Sequence, residues 1–468
     1  MYFRSRFVFS LLSFLPLFAA AADYQPASLS LWWGAPFALI LLSVALCPLF
    51  LPRIWHHHFG KIIAGWTVVF LLPFALVFGM SEVSQIVAHA VLEEYVPFIL
   101  LLLALYTVSG GILVWGNLHG NPQTNTALLA IGTVLASLMG TTGAAMLLIR
   151  PLLRANDNRK HKVHVVIFFI FLVANIGGGL TPLGDPPLFL GFLKGVDFMW
   201  TVKHMMLPVV LSSVVLLTAF FFVDRYFYRQ EGEVLVQDPS PDSKLKIYGK
   251  INLLLLLAVV GSVLMSGLWK PNVEYTIFGI SIGLQALFRD ILMVVITVLS
   301  LLLTPKQVRA GNEFNWEPMK EVGKLFLGIF ITIAPVLAML KAGEAGNFRS
   351  LIQMVHNSAG EPINAMYFWM SGMLSAFLDN APTYLVFFNM ASGDAAQLMG
   401  NMAGTLLAVS MGSVFMGALT YIGNAPNFMV KAIAEQRNVE MPTFFGYMAW
   451  SFGILVPLFI VQTVIFFW

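Results

Sequence analysis

Two carboxylates lie where a carboxylate is expensive. Asp185 falls within GGGLTPLGDPPLFLGFL (residues 177–193) and Asp379 within LDNAPTYLVFF (residues 378–388), stretches otherwise made of apolar, glycine, proline and short polar residues. An ionised aspartate at the centre of a bilayer costs about 2.5–3.5 kcal/mol on insertion scales, so each demands a cation, a proton or a basic partner. Neither stretch holds a Lys or Arg, and the nearest, Arg150 and Lys194, fall toward the ends of their segments. Around the aspartates the sequence offers the hydroxyls of Thr141, Thr142, Thr181, Thr383 and Thr420 and the amides of Asn175, Asn380 and Asn424. Gly143, Gly184 and Gly423 add positions where backbone can approach a ligand closely. Carboxylates, hydroxyls and free carbonyls suit Na+ or H+, with Na+ expected on Asp185 and Asp379. Competition of the two ions for one carboxylate is in itself antiport.

Each residue also has a plainer role. Asp185 before Pro186 makes an N-cap with proline at the first helical position, and Asn424 suits the same role. Asp379, Asn380, Ala381 and Pro382 together can also make a turn at a hairpin tip. The threonines can bond backbone carbonyls, and Asn175 reads best as a helix–helix hydrogen bonder.

The elements that must position these groups are membrane spans. Of 468 residues, 58% are hydrophobic and 10% charged, with a mean hydropathy of +0.82, which excludes a soluble globular domain. The net charge of +3 and the clustering of Lys and Arg between apolar runs report orientation in a membrane rather than nucleic-acid binding. Cys47, the single cysteine, rules out an internal disulfide and a cysteine metal site. Residues 1–22 carry Arg4 and Arg6, an apolar stretch and an alanine run, the layout of a signal peptide or a first membrane helix; cleavage after the alanines is the working expectation.

Apolar runs of span length fall near 31–51, 62–80, 95–117, 203–223, 251–268, 276–303, 322–341 and 443–467. Four further stretches, 126–149, 163–193, 363–391 and 403–430, are broken in the middle by polar residues, glycine or proline. They pair. A shift of 239 positions lays GGLTPLGDPPLF (178–189) on GALTYIGNAPNF (417–428) with six of twelve residues identical, and LASLMGTTGAAMLL (135–148) on LSAFLDNAPTYLVF (374–387). The connector RPLLRANDNRKHK is basic and assigned to the cytoplasm, whereas its counterpart NMASGDAAQLMGNM has no Lys or Arg and is assigned outside. The expected fold is therefore an all-α polytopic membrane protein of two inverted-topology repeats, each with a re-entrant hairpin and a broken transmembrane helix. The repeats take residues 23–228 and 249–468, joined by a solvated cytoplasmic linker at 229–248. Inverted repeats with interrupted helices meeting at the midplane are the layout of secondary transporters.

At these motifs the sequence resembles the ion transporter superfamily, in its arsenite/sodium-antiporter and citrate-transporter-like branches. TTGAAMLLIRPLLRAN with NIGGGLTPLGDPPLFLGFLKG is similar to the first repeat of a bacterial group labelled both as sodium:proton antiporters and as citrate transporters; LDNAPTYLVFF with GALTYIGNAPNFMVKAIA is similar to its second repeat. The resemblance implies alternating access by an elevator-like or rocking motion, a homodimer, and a multi-pass protein of the bacterial inner membrane. It places ion- and substrate-binding loops on Thr141–Ala144, Thr181–Asp185, Asp379–Thr383 and Thr420–Asn424. The dicarboxylate carriers of the superfamily have Ser-Asn-Thr at each hairpin tip, where this chain has Gly140-Thr141-Thr142 and Asp379-Asn380-Ala381, a departure that counts against the citrate label. Cation (Na+)/H+ antiport is thus the first expectation, and Na+- or H+-coupled citrate or dicarboxylate uptake the second. The expected partners are membrane lipid and small ions or carboxylates, with no nucleic acid and no cofactor, and the chain is not expected to be an enzyme. An intramembrane aspartyl protease, the one enzymatic alternative, explains neither the duplication nor its inversion.

Overall fold

Backbone N–H and C=O groups in hydrocarbon must be satisfied within their own segment, so long apolar runs become helices. The computed structural model describes residues 25–232 and 243–468; the expected leader at 1–22 lies outside the described residues. Among these, seven helices are long and apolar enough to cross a membrane: Leu31–Phe50, His57–Phe78, Met80–Gly110, Phe198–Gln230, Ile251–Leu268, Leu284–Leu303 and Phe444–Phe466. The pair Glu317–Thr332 and Ala334–Lys341, bent by 41°, is long and apolar enough only when taken together, as a broken span or a re-entrant loop. The protein is an all-α polytopic membrane protein.

Two apolar runs behave differently from the hydropathy reading. The span expected at 95–117 begins earlier, at Met80, passes a π-helical turn at Ala90–Tyr95 and ends at Gly110; the rest of the run is a strand, Leu113–Asn117. That strand pairs antiparallel with Ser243–Tyr248, in register Leu113↔Tyr248, so the last six residues of the expected linker are a fully exposed strand. The run expected to begin at 276 first forms a two-stranded hairpin, Glu274–Ile277 with Ile280–Gly283, and is helical only from Leu284. Phe278 and Gly279 at its tip have φ of 50° and 83°, the left-handed pair that a tight two-residue turn needs. Hydropathy alone does not distinguish an apolar strand from an apolar helix.

The four interrupted stretches fold as two helical hairpins and two broken helices. The first hairpin pairs Pro122–Met139 with Thr141–Ala155 around Gly140, whose φ of 79° is the left-handed conformation that favours glycine. The second pairs Asn364–Phe377 with Asn380–Ala391, and its tip is Asp379, which caps the returning helix. Each broken helix runs apolar, loosens into a 3-10 turn, unwinds and restarts: Val163–Leu172, Ile176–Gly179 and Pro186–Leu193 in the first, Ala403–Phe415, Met416–Leu419 and Ala425–Gln436 in the second.

Internal contacts recur at the 239-residue shift. Thr181 Oγ1 donates to Ser137 O at 2.5 Å, and Thr420 Oγ1 donates to Ala376 O. Each hydroxyl also accepts a backbone N–H two residues on, from Leu183 at 3.1 Å and Ile422 at 3.2 Å. A Cβ on Gly184 would lie 2.2 Å from Gly178 O, and one on Gly423 would lie 2.2 Å from Gly417 O. Both breaks therefore fold back on themselves as glycine-only loops.

A buried network anchors the first hairpin and broken helix to the long helix Phe198–Gln230. Asp224 there meets Arg159 at 2.6 Å, His164 at 2.7 Å and Asn125 Nδ2 at 2.9 Å. Glu231, only 4% exposed, accepts the backbone N–H groups of Lys160 and His161. Glu231 of the expected solvated linker is thus packed while Arg229, Gln230 and Gly232 beside it are exposed, and Arg159 of the basic connector is a buried structural cation.

Because a methyl group at either loop would collide with backbone rather than a side chain, Gly184→Ala and Gly423→Ala should be equally damaging. Monodisperse folded yield, read by fluorescence size-exclusion of a tagged chain, is expected to fall severely for both. Wild-type yield from either variant would remove the backbone constraint at that copy.

Candidate functional site

The tip of the first hairpin packs on the first break: Thr141 N–H donates to Gly184 O at 2.9 Å, and Thr141 Oγ1 to Asp185 Oδ1 at 3.3 Å. The second copy closes over the other carboxylate oxygen, since Asn380 Nδ2 donates to Asp185 Oδ2 at 2.9 Å. Ser375 Oγ lies 2.7 Å from Asn380 Oδ1 and 2.6 Å from Ser413 O, holding that amide with its N–H2 toward the aspartate. Asp185 is 3% exposed, and among the described residues its carboxylate meets a hydroxyl and an amide, with no ion pair.

The alternative roles separate here. Asp185 stands at the N-cap position of Pro186–Leu193, yet its side chain makes no capping bond; the carboxylate is turned away to Thr141 and Asn380. Asn424 does cap, accepting Asn427 N–H at 3.1 Å, while its Nδ2 donates to Asn175 Oδ1 at 2.6 Å. Asp379 also caps, accepting Ala381 N–H at 3.1 Å, and Thr383 Oγ1 donates back to Asp379 O at 3.0 Å. Thr181 and Thr420 spend their hydroxyls on hairpin carbonyls.

A cavity of about 630 Å³ touches all four interruptions. It is lined by Thr141, Thr142 and Gly143 of the first hairpin, Gly184 and Asp185 of the first break, Asp379 of the second tip and Asn424 of the second break. Asn175, Thr181, Asn380, Thr383, Thr420 and Gly423 stand behind this lining as buried support. Apolar walls such as Phe98, Leu105 and Phe189 lead to Asn315, Glu317 and Glu321, in a segment with Lys306, Arg309, Lys320 and Lys324, charges that the positive-inside rule expects in the cytoplasm. Four of the lining residues are carboxylates, Asp185, Glu317, Glu321 and Asp379, and none is Lys, Arg or His.

The two bases nearest in sequence are engaged elsewhere. Arg150 pairs with Glu313 at 3.0 Å, and Arg437 pairs with the same carboxylate at 2.9 Å. Burial acts to raise the Glu313 carboxyl, but Arg150 and Arg437 hold it below the ordinary range. Lys194 pairs with Glu94. The sequence reading missed Ser375 and Asn427; for Asn427 a signal existed, because the 239-residue shift sets it against Leu188.

Residues 26–467 match the model of a family described as "Putative citrate transport". The chain belongs to this family. Two uncharacterized transporters, from Mycobacterium bovis and Mycobacterium tuberculosis, are each 24% identical to it over 420 residues, covering 86% of this chain and 86% of each relative. This citrate-transport-family protein is accordingly a transporter, and its cavity is where the transported species is to be sought.

In a Cys47→Ser background, Thr142→Cys lines the cavity and Asn380→Cys is 1% exposed behind it. A membrane-impermeant thiol reagent applied to inside-out vesicles should label the first readily and the second poorly. Equal labelling of both would contradict the cavity's boundary.

Proposed function

We propose that this transporter exchanges a cation, Na+ in the first instance, for protons, with Asp185 as the group the two compete for. One observation carries the reading: a buried carboxylate, hydrogen-bonded from both copies and without a basic partner among the described residues, faces a cavity lined by four acidic side chains and no basic one. A carboxylate in such surroundings is stable only with a cation or proton on it. Thr141 and Asn380 orient it, and Asp379, which can cap its helix and still face the cavity, adds negative charge nearby. If the two halves are inverted in the membrane, as the connectors' charges indicate, movement of the hairpins and broken helices relative to the outer helices would expose Asp185 to each side in turn. The proposed location is the bacterial inner membrane.

A second reading is uptake of a citrate-like carboxylate coupled to Na+ or H+. It is favoured by the family's description and by four helices whose N-termini, at Thr141, Pro186, Asn380 and Ala425, start at the cavity, a geometry that attracts anions. Lys431 over the ring of the lining residue Tyr421, at 5.4 Å, is the nearby base such a reading would use. Proteolysis is the less favoured reading, because the Asp185 carboxylate is bonded by Thr141 and Asn380 while that of Asp379 caps its own helix at Ala381 N–H.

In inside-out vesicles holding an acid interior reported by a pH-sensitive dye, Na+ should dissipate the gradient through the wild type and fail to do so through Asp185→Asn. Asp379→Asn keeps a capping side chain and removes the charge, so it should raise the half-maximal Na+ concentration about tenfold, the weight of roughly 1.4 kcal/mol. A flat wild-type trace together with robust citrate uptake would reverse the ranking of the two readings.

A further inference from the structure

The two copies equip their breaks differently. Under the 239-residue shift Asp185 falls on Asn424, Leu188 on Asn427, and Asn175 on Val414. Where the first copy has a carboxylate, the second therefore gathers amides, and one of them is lent by the first copy. The three form a closed circuit. Asn424 Nδ2 donates to Asn175 Oδ1 at 2.6 Å, Asn175 Nδ2 to Asn427 Oδ1 at 2.7 Å, and the Asn427 backbone N–H to Asn424 Oδ1 at 3.1 Å. Asn427 Nδ2 points back into the unwound loop and donates to Gly417 O at 2.8 Å and Thr420 O at 3.0 Å. Asn175 and Asn427 are fully buried, and Asn424 is 7% exposed.

Unwound carbonyls in a broken helix are the groups that bind coupling cations. In the second break two of them are already held by an amide nitrogen, and every side-chain oxygen of the circuit already accepts an N–H. The Asn427 amide thus occupies the role a cation would play. In the first break the corresponding residue, Leu188, has no side-chain donor, and the charge is that of Asp185. Asp379 does not restore symmetry: it answers to Gly140 in the first copy and caps Ala381 N–H.

We infer that the chain has one cation half-site, at Asp185, and that Asn427 permanently closes the pseudo-equivalent one with its own hydrogen-bond donors. The inference rests on the cation-binding reading above and goes further in fixing how many ions a chain holds.

Equilibrium binding of radioactive Na+ to the purified full-length protein, at mildly alkaline pH, tests it. The expected result is a single Na+ per chain with a non-cooperative isotherm, and loss of nearly all specific binding in Asp185→Asn, whose thermal unfolding is followed in parallel to confirm folding. Two Na+ per chain in the wild type overturns the single half-site while leaving antiport standing, and needs no variant to detect. Retention of one Na+ in a folded Asp185→Asn also overturns it, by showing that the second break binds. A wild type that binds no Na+ overturns both this inference and the cation reading.

Discussion

The structure depends on what hydrocarbon forbids: an unpaired backbone polar group or a lone charge at membrane depth. Four stretches of this chain break that rule in sequence, and they obey it in space by meeting one another. The hydrogen bond from Asn380 to Asp185 expresses this meeting most directly, because it joins residues 195 positions apart, one from each copy. Without the second copy, one oxygen of the Asp185 carboxylate would lose its donor. Without the first, the side-chain N–H groups of Asn380 and Asn424 would lose their acceptors, Asp185 Oδ2 and Asn175 Oδ1. Neither copy satisfies its own interior, which accounts physically for their occurrence as a pair.

The convergence builds a site with two opposing electrostatic tendencies. Helix N-termini directed at the cavity favour negative charge, and the carboxylates already present supply it. Asp379 and Asn424 answer their own helix ends by capping, whereas Asp185 declines the cap and keeps both oxygens on side-chain donors. On the proposed function, that difference separates a structural carboxylate from the one on which the ions exchange. The cations nearby in sequence are occupied in holding the frame: Arg159 in the Asp224 network, Arg150 and Arg437 on Glu313, and Lys194 on Glu94. Among the described residues none of these four cations lines the cavity.

Much of this was legible in the sequence, and the part that was not has a physical reason. Long apolar runs and the duplicated motifs announce themselves, since a span needs about 20 apolar residues and a glycine that touches backbone cannot vary. Gly184 and Gly423 are such positions. Strands at 113–117 and 274–283 were invisible, because apolar residues of the same composition fill either element. Direction was invisible too: an aspartate before a proline reads as a cap, and only the fold turns the Asp185 side chain toward Asn380. The polar but unassuming Ser375 and Asn427 also have partners that only the fold brings to them, Ser413 at 38 residues' distance and Asn175 at 252.

The central claim is that Asp185 holds a proton which a cation displaces. It is tested most directly by adding NaCl to purified protein in weakly buffered solution near neutral pH and recording the released protons, with choline chloride as control. The account predicts proton release by the wild type, saturating with Na+, and none by a folded Asp185→Asn variant. Equal release from both proteins, or none from the wild type, would contradict it.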